Sequence, residues 1–178
     1  IGGKAYYFTS KAVMAKNKKV DGIKLNAKGQ ASISNERVKL IFAVQSVIDR
    51  VAKSSQSKEQ KLKACYDDML KCGYAGRFGS TDTAGWEVGY AYEMLTSRKG
   101  NCYSYAAAFG MLARKCGYNA KIVTGQIVKD GAAAVNHAWV EINGRVYDPQ
   151  TQQTIGIDLY NKDYTASSRV VYTIGKKV

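Results

Sequence analysis

Residues 100–150 read GNCYSYAAAFGMLARKCGYNAKIVTGQIVKDGAAAVNHAWVEINGRVYDPQ, and the hydrophobic period changes once within that stretch. Over 102–116, Tyr103, Ala106, Phe109, Gly110 and Ala113 fall on one helical face, and Gly117 supplies the stop. From Lys121 the period is two. Residues 121–128 read as a strand, Lys129-Asp130-Gly131 as a turn and 136–142 as a second strand. Asn143-Gly144 is a two-residue hairpin turn and 145–148 the returning strand. A helix followed by antiparallel strands predicts an α+β fold.

Upstream, helical patterns continue. Leu40, Ile41, Val44, Val47, Ile48 and Val51 give one apolar face to a helix over 35–53, with Ser34 as its cap. Ser57 and Gln60 form a capping-box pattern for a second helix, with Leu62, Cys65, Met69 and Cys72 as its buried stripe and Gly73 as its end. A Gly/Ser/Thr-rich loop over 73–85 precedes a shorter helix over 86–95. A late strand is expected over 169–174.

Residues 1–33 differ in character. Gly3-Lys4-Ala5-Tyr6-Tyr7-Phe8, Met14-Ala15-Lys16 and Asp21-Gly22-Ile23-Lys24-Leu25 read as short strands separated by Gly and Lys/Asn turns. The aromatic triplet followed by VMAKNKKVDG resembles the cell-wall-binding repeats of Gram-positive surface proteins, in about one and a half degenerate copies. A covering β-hairpin explains the same residues nearly as well. The expected division is a β-hairpin segment over 1–33 and a second domain over 34–178.

The chain has 178 residues, 27 Lys plus Arg against 14 Asp plus Glu, and a formal charge of +13. Residues 1–63 carry 14 basic and 4 acidic side chains, whereas 64–178 carry 13 and 10. The excess therefore belongs to the N-terminal third. It is scattered, with one short run at Lys16, Lys18 and Lys19. That favours a weakly anion-seeking surface, such as one suited to an anionic cell-wall polymer, over a nucleic-acid groove, and no nucleic acid is expected as partner. No apolar run approaches the ~20 residues of a membrane-spanning helix. The chain opens at Ile1 without an initiator Met, as expected of a mature form or an excised piece whose targeting segment is out of view.

The chain has one histidine, His137. With Asn143-Gly144 as the loop, Ile142 pairs with Arg145, Glu141 with Val146, Val140 with Tyr147, and Trp139 with Asp148. Alternation puts His137, Trp139 and Glu141 on one face with Asp148, which is diagonal to His137 at a Cβ separation of roughly 6–8 Å. An Asp so placed fixes the tautomer of the imidazole and stabilises its protonated form. Cys102 opens a helix after Gly100-Asn101, where free N–H groups and the positive dipole end favour a thiolate. Its own backbone N–H is a candidate oxyanion donor.

GNCYSYAAAFGMLARKCGYNAKIVTGQ followed by NHAWVEINGRVYDPQ is similar to the core of the transglutaminase-like superfamily, with a G-x-C motif opening a helix, H-A-W on a strand and D-P on the next. LKACYDDMLKCGYAG and AYEMLTSRKG also look like the helices that lead into the catalytic Cys in bacterial members. The resemblance implies a papain-like/transglutaminase-core fold and a Cys-His-Asp triad of Cys102, His137 and Asp148. It further implies acyl transfer through a thioester on a protein or peptide substrate, as peptidase, amidase or transglutaminase, without cofactor or metal. Trp139 is expected to wall the substrate site. Trp86 is the nearest match to the aromatic oxyanion donor of animal transglutaminases, and core packing accounts for it better. Taken together the sequence points to a secreted or cell-surface enzyme of a Gram-positive bacterium; the alternatives are an inactive transglutaminase-like binding or scaffold module and a polyanion binder.

Cys65, Cys72 and Cys116 read as core residues. Cys65 and Cys72 on one helix lie ~10 Å apart, too far for a disulfide. With Cys102 set aside, three cysteines allow at most one bridge. A cross-helix bridge through Cys116 stays open, though nothing in the sequence calls for it.

Overall fold

A computed structural model describes residues 4–9, 11–20, 23–32, 34–76 and 80–178. The expected turn at Asp21-Gly22, the segment before Lys4 and part of the 73–85 loop lie outside the described residues. The chain divides into two compact units, Ile1–Phe42 and Ala43–Val178.

In the first unit, strands β1 (Lys19–Val20) and β2 (Ile23–Lys24) pair antiparallel, with Lys19 opposite Lys24. Bridges join Tyr6 to Gln30, Phe8 to Met14 and Leu25 to Ala31. Helix α1 (Asn35–Val51) begins in this unit and continues into the second.

The second unit opens with α2 (Lys58–Met69), whose start carries the full capping box between Ser57 and Gln60. The helix closes on Leu70 rather than Gly73. Gly73 instead begins β3 (Gly73–Tyr74), which pairs parallel with β4 (Lys99–Gly100) after α3 (Trp86–Ser97). The reason lies in the carbonyls of this turn. Gln153 Nε2 donates to Leu70 O and Cys72 O at 2.8 Å each, and Tyr105 OH donates to Cys72 O at 2.6 Å. Those carbonyls are held by side chains, so the helix stops early.

Helix α4 (Cys102–Lys115) is buried on nearly all sides, from Ser104 through Gly110 and at Leu112 and Ala113. Tyr103 is half-buried rather than inward-facing. The four-stranded antiparallel sheet runs in the order β7-β6-β5-β8, from β5 (Lys121–Lys129), β6 (Val135–Ile142), β7 (Arg145–Tyr147) and β8 (Val170–Lys177). The hairpin register is as read from Asn143-Gly144: Ile142 opposite Arg145, Glu141 opposite Val146, Val140 opposite Tyr147. The fold is α+β, with helices preceding a four-stranded antiparallel sheet.

Alternation along the strands divides the core. Val140 and Ile122 approach Gly110 of α4. Trp139, Val123, Ile127, Val146 and Val170 form a second buried cluster, against which Tyr164 and Tyr172 pack. Gly125 is where β5 and β8 shift register. A Cβ there would strike Thr173 O and come within 3.0 Å of the Trp139 ring, so the close approach requires glycine.

Helix α5 (Pro149–Ile155) is not visible in the sequence periodicity. Asp148 does not end a strand; it caps α5, accepting a hydrogen bond from Thr151 N, with Pro149 at the first helical position. An Asp cap followed by Pro is a helix-start signal. The hairpin pattern drew the reading away from it.

Candidate active site

Each of the three predicted residues is delivered by the end or edge of a separate element. Asn101 adopts an extended backbone and its Oδ1 accepts from Ser104 N at 3.1 Å, capping α4 and fixing Cys102 in its first turn. Ala75 N donates to Gly100 O at 3.0 Å, so the parallel β3–β4 pair holds the approach to that cap. His137 sits on β6, opposite Gly125. Asp148 caps α5.

His137 Nε2 lies 2.8 Å from Asp148 Oδ2, with both side chains buried, at 3% and 1% exposure. Cys102, 8% exposed, lies near enough to act on the same imidazole and favour its charged form. The structure thus joins His137 to Asp148 in one buried pair.

The electrostatics follow from this geometry. Burial works to lower the His137 imidazolium. The Asp148 carboxylate, by charge and hydrogen bond, and then Cys102 outweigh it and hold the ring up at about 9. Burial likewise works to raise the Asp148 carboxyl, and the charge and hydrogen bond of His137, with the backbone and side chain of Thr151, bring it below its ordinary value. At neutral pH the pair is an imidazolium and a carboxylate.

Two further groups complete the cradle. Thr151, fully buried, gives its N–H to Asp148 Oδ1 at 3.0 Å, and its Oγ1 lies 3.1 Å from His137 Nε2. Tyr172 of β8 donates its hydroxyl to Asp148 Oδ2 at 3.0 Å. Asp148 therefore accepts from a ring, a backbone amide and a phenol, as a carboxylate kept charged in a dry site must. The Asp-Pro helix start would have pointed to Thr151. No local signal points to Tyr172, which arrives through β8–β5 pairing.

Trp139 is fully buried, and its ring lies nearly parallel to His137, 6.2 Å between centroids at 17°. Its Nε1 donates to Tyr164 OH at 3.0 Å, which donates in turn to Glu141 at 2.8 Å, and Lys177 pairs with Glu141. Trp139 thus backs the imidazole. Trp86 packs edge-on against Tyr90 and Tyr103, at 5.3 and 5.9 Å, beside the residue that follows Cys102. Among the described residues, no three His, Cys, Asp or Glu side chains cluster as a metal site, and no helix is long and apolar enough to cross a membrane.

The model of the transglutaminase-like superfamily matches residues 45–152, which contain α2, α4, the His137 strand and the Asp148 cap. The chain belongs to that superfamily. A crystal structure from Cytophaga hutchinsonii described as a "Putative Cysteine Protease" is similar in fold at 14% identity and a TM-score of 0.46, over 83% of this chain and 54% of that one. The chain thus spans about half the length of that protein. No curated protein is similar enough in sequence to match. Membership of the transglutaminase-like superfamily supports a cysteine-type enzyme in general.

Proposed function

We propose that the chain is a cysteine-dependent acyl-transfer enzyme acting on peptide or carboxamide substrates, with Cys102 as nucleophile, His137 as acid and base, and Asp148 as the group that orients and charges the imidazole. The observation that carries this reading is the 2.8 Å bond from His137 Nε2 to a buried Asp148, with Cys102 at the start of α4.

The Cys102 thiolate attacks the carbonyl carbon and the electron pair moves onto oxygen, where the Cys102 N–H at the start of α4 is the candidate donor. The C–N bond then breaks and the His137 imidazolium gives its proton to the leaving amine. Neutral His137 next takes a proton from water, or from a second amine, as that nucleophile adds to the thioester. The C–S bond breaks, and thiolate and imidazolium are restored.

The proposal extends to a bacterial cell surface, with the basic first unit meeting an anionic wall polymer. Lys18, Lys19 and Lys24 line one concavity, and Lys19 stands directly across from Lys24, a like-charge pair that an anion would relieve. Sedimentation with purified Gram-positive walls, lost at high salt, is expected; retention indifferent to salt counts against it.

The test of the enzyme reading incubates the protein with peptidoglycan fragments and with Gln-containing peptides, followed by mass spectrometry. Hydrolysis, ammonia loss or amine incorporation is expected from the wild type and absent with Cys102→Ala. Identical products from the two proteins would refute the role of Cys102.

A further inference from the structure

A second buried carboxylate, Asp68 of α2, is gripped by two guanidinium groups. Arg50, near the end of α1 and half exposed, donates Nη1 to Oδ1 at 3.2 Å and Nη2 to Oδ2 at 3.1 Å. Arg98 donates Nη1 to Oδ2 and Nη2 to Oδ1 at 3.2 Å, and its Nη2 also reaches the backbone carbonyl of Asp68 at 3.1 Å. Arg98 closes α3 in the left-handed region, at φ 61 and ψ 23. That backbone favours glycine and suits asparagine next best. What arginine supplies at this position is therefore its side chain.

We propose that Arg98 is a positioning residue for Cys102: its forked grip on Asp68 ties the end of α3 to α2, fixes β4, and so sets the start of α4. The inference rests on the reading of Cys102 as the nucleophile. The chain runs only from Arg98 through Lys99, Gly100 and Asn101 to reach Cys102. Arg98 O accepts from Gly73 N at 2.9 Å, and the parallel pair sets Gly73 beside Lys99 and Tyr74 beside Gly100. Gly100 lies so close to α4 that a Cβ would strike Ser104 Cβ and come within 2.9 Å of Met94 Sδ. Asn101 then caps α4.

The fork matters because two parallel N–H···O bonds fix direction as well as distance. A nucleophile displaced by about 1 Å loses on the order of a hundredfold in rate. Arg50 grips the same carboxylate, but its chain continues through residues 52–57 into α2 and not into α4. The two arginines therefore share a partner and differ in what they hold. Loss of either leaves Asp68 with one guanidinium, so neither loss strands a buried charge.

The experiment compares Arg98→Asn, which suits the left-handed backbone and lacks the fork, with Arg50→Gln in the full chain. NMR gives two readouts: amide exchange at Ser104 and Tyr105, whose N–H groups bond to Asn101 at 3.1 and 3.0 Å, and the titration midpoint of the His137 ring. In Arg98→Asn both amides should exchange at least about tenfold faster, as local opening does when a charge-assisted hydrogen bond is lost. The His137 midpoint should fall, because Cys102 helps to hold that ring charged. Arg98→Lys, with a charged donor but no fork, should lie between, and Arg50→Gln should match the wild type in both readouts. In a Cys102→Ala background, Arg98→Asn should no longer move the His137 midpoint, since the thiol that carries the effect is gone. The inference is overturned if either readout in Arg98→Asn equals the wild type, if Arg50→Gln reproduces both changes, or if the His137 shift persists without Cys102. Arg98→Gly, freer still in its backbone, replaces Arg98→Asn if that variant fails to fold. Failure of the acyl-transfer reading shows separately, as identical products from wild type and Cys102→Ala, and neither readout depends on turnover.

Discussion

Replacing Asp148 by Asn isolates the charge of the carboxylate from its shape. Asn is as good a helix cap as Asp, so the bond from Thr151 N and the start of α5 can survive while the negative charge facing His137 is lost. The rise of His137 from 6.5 to about 9 corresponds to about 3 kcal/mol in favour of the imidazolium. Burial acts against that form. Without the carboxylate, the ring should titrate at or below 6.5. His137 is the only histidine in the chain, so its imidazole proton resonance gives the midpoint by NMR without assignment. Repeating the titration in Cys102→Ala removes the contribution of the sulfur. If Asp148→Asn kept a midpoint near 9, the electrostatic account of the site would fail.

The same shift has a consequence for stability, and its sign is fixed. A histidine whose folded midpoint lies above its unfolded one stabilises the fold fully below about pH 6.5, and the effect is lost as pH rises through about 9. Wild type should therefore lose about 3 kcal/mol between pH 6 and 10 that Asp148→Asn does not lose, as read by urea unfolding at each pH. Parallel losses in both proteins would refute the argument.

Tyr172→Phe removes one donor from Asp148 Oδ2, which should cost about 1 kcal/mol of stability. Its telling effect is on His137: a carboxylate with one donor fewer attracts the ring proton more strongly, so the NMR midpoint should move up, and a downward move would contradict the arrangement. Thr151→Val keeps the backbone bond to Asp148 Oδ1 but loses the hydroxyl that helps hold the carboxyl low. A lowered carboxyl stabilises above its ordinary range and loses that effect as pH falls, so acid unfolding followed by circular dichroism should begin at higher pH in the variant. Gly125→Ala would press its Cβ on Thr173 O and the Trp139 ring. A loss of about 2–3 kcal/mol in urea unfolding is expected, and a neutral result would mean that β8 shifts freely.

What the sequence disclosed depended on whether a residue's partner is reached by local geometry. The meeting of His137 with Asp148 follows from a two-residue turn and strand alternation. Both are short-range rules, and the hairpin pairs Val140 with Tyr147 as those rules require. The capping box at Ser57 and the start of α4 at Cys102 were legible for the same reason. Gly73 was misread because glycine after a helix serves as a cap in isolation, whereas here Gln153 and Tyr105, from about 80 and 33 residues away, take the carbonyls of the turn. For Trp139, alternation gives the face of the strand but not what covers it. The ring of Tyr172 closes over that face, 4.8 Å from Trp139, and takes Asp148 Oδ2 with its hydroxyl. The covering residue and the second donor to the carboxylate are thus one side chain, placed by the β5–β8 pairing rather than by any local motif. The separation of cause is physical: turns and caps place the reactive groups, and the long-range sheet partner dries and charges them. A variant that loosens β8 without touching Cys102, His137 or Asp148 should therefore lower the His137 midpoint, because water admitted beside Asp148 screens its charge.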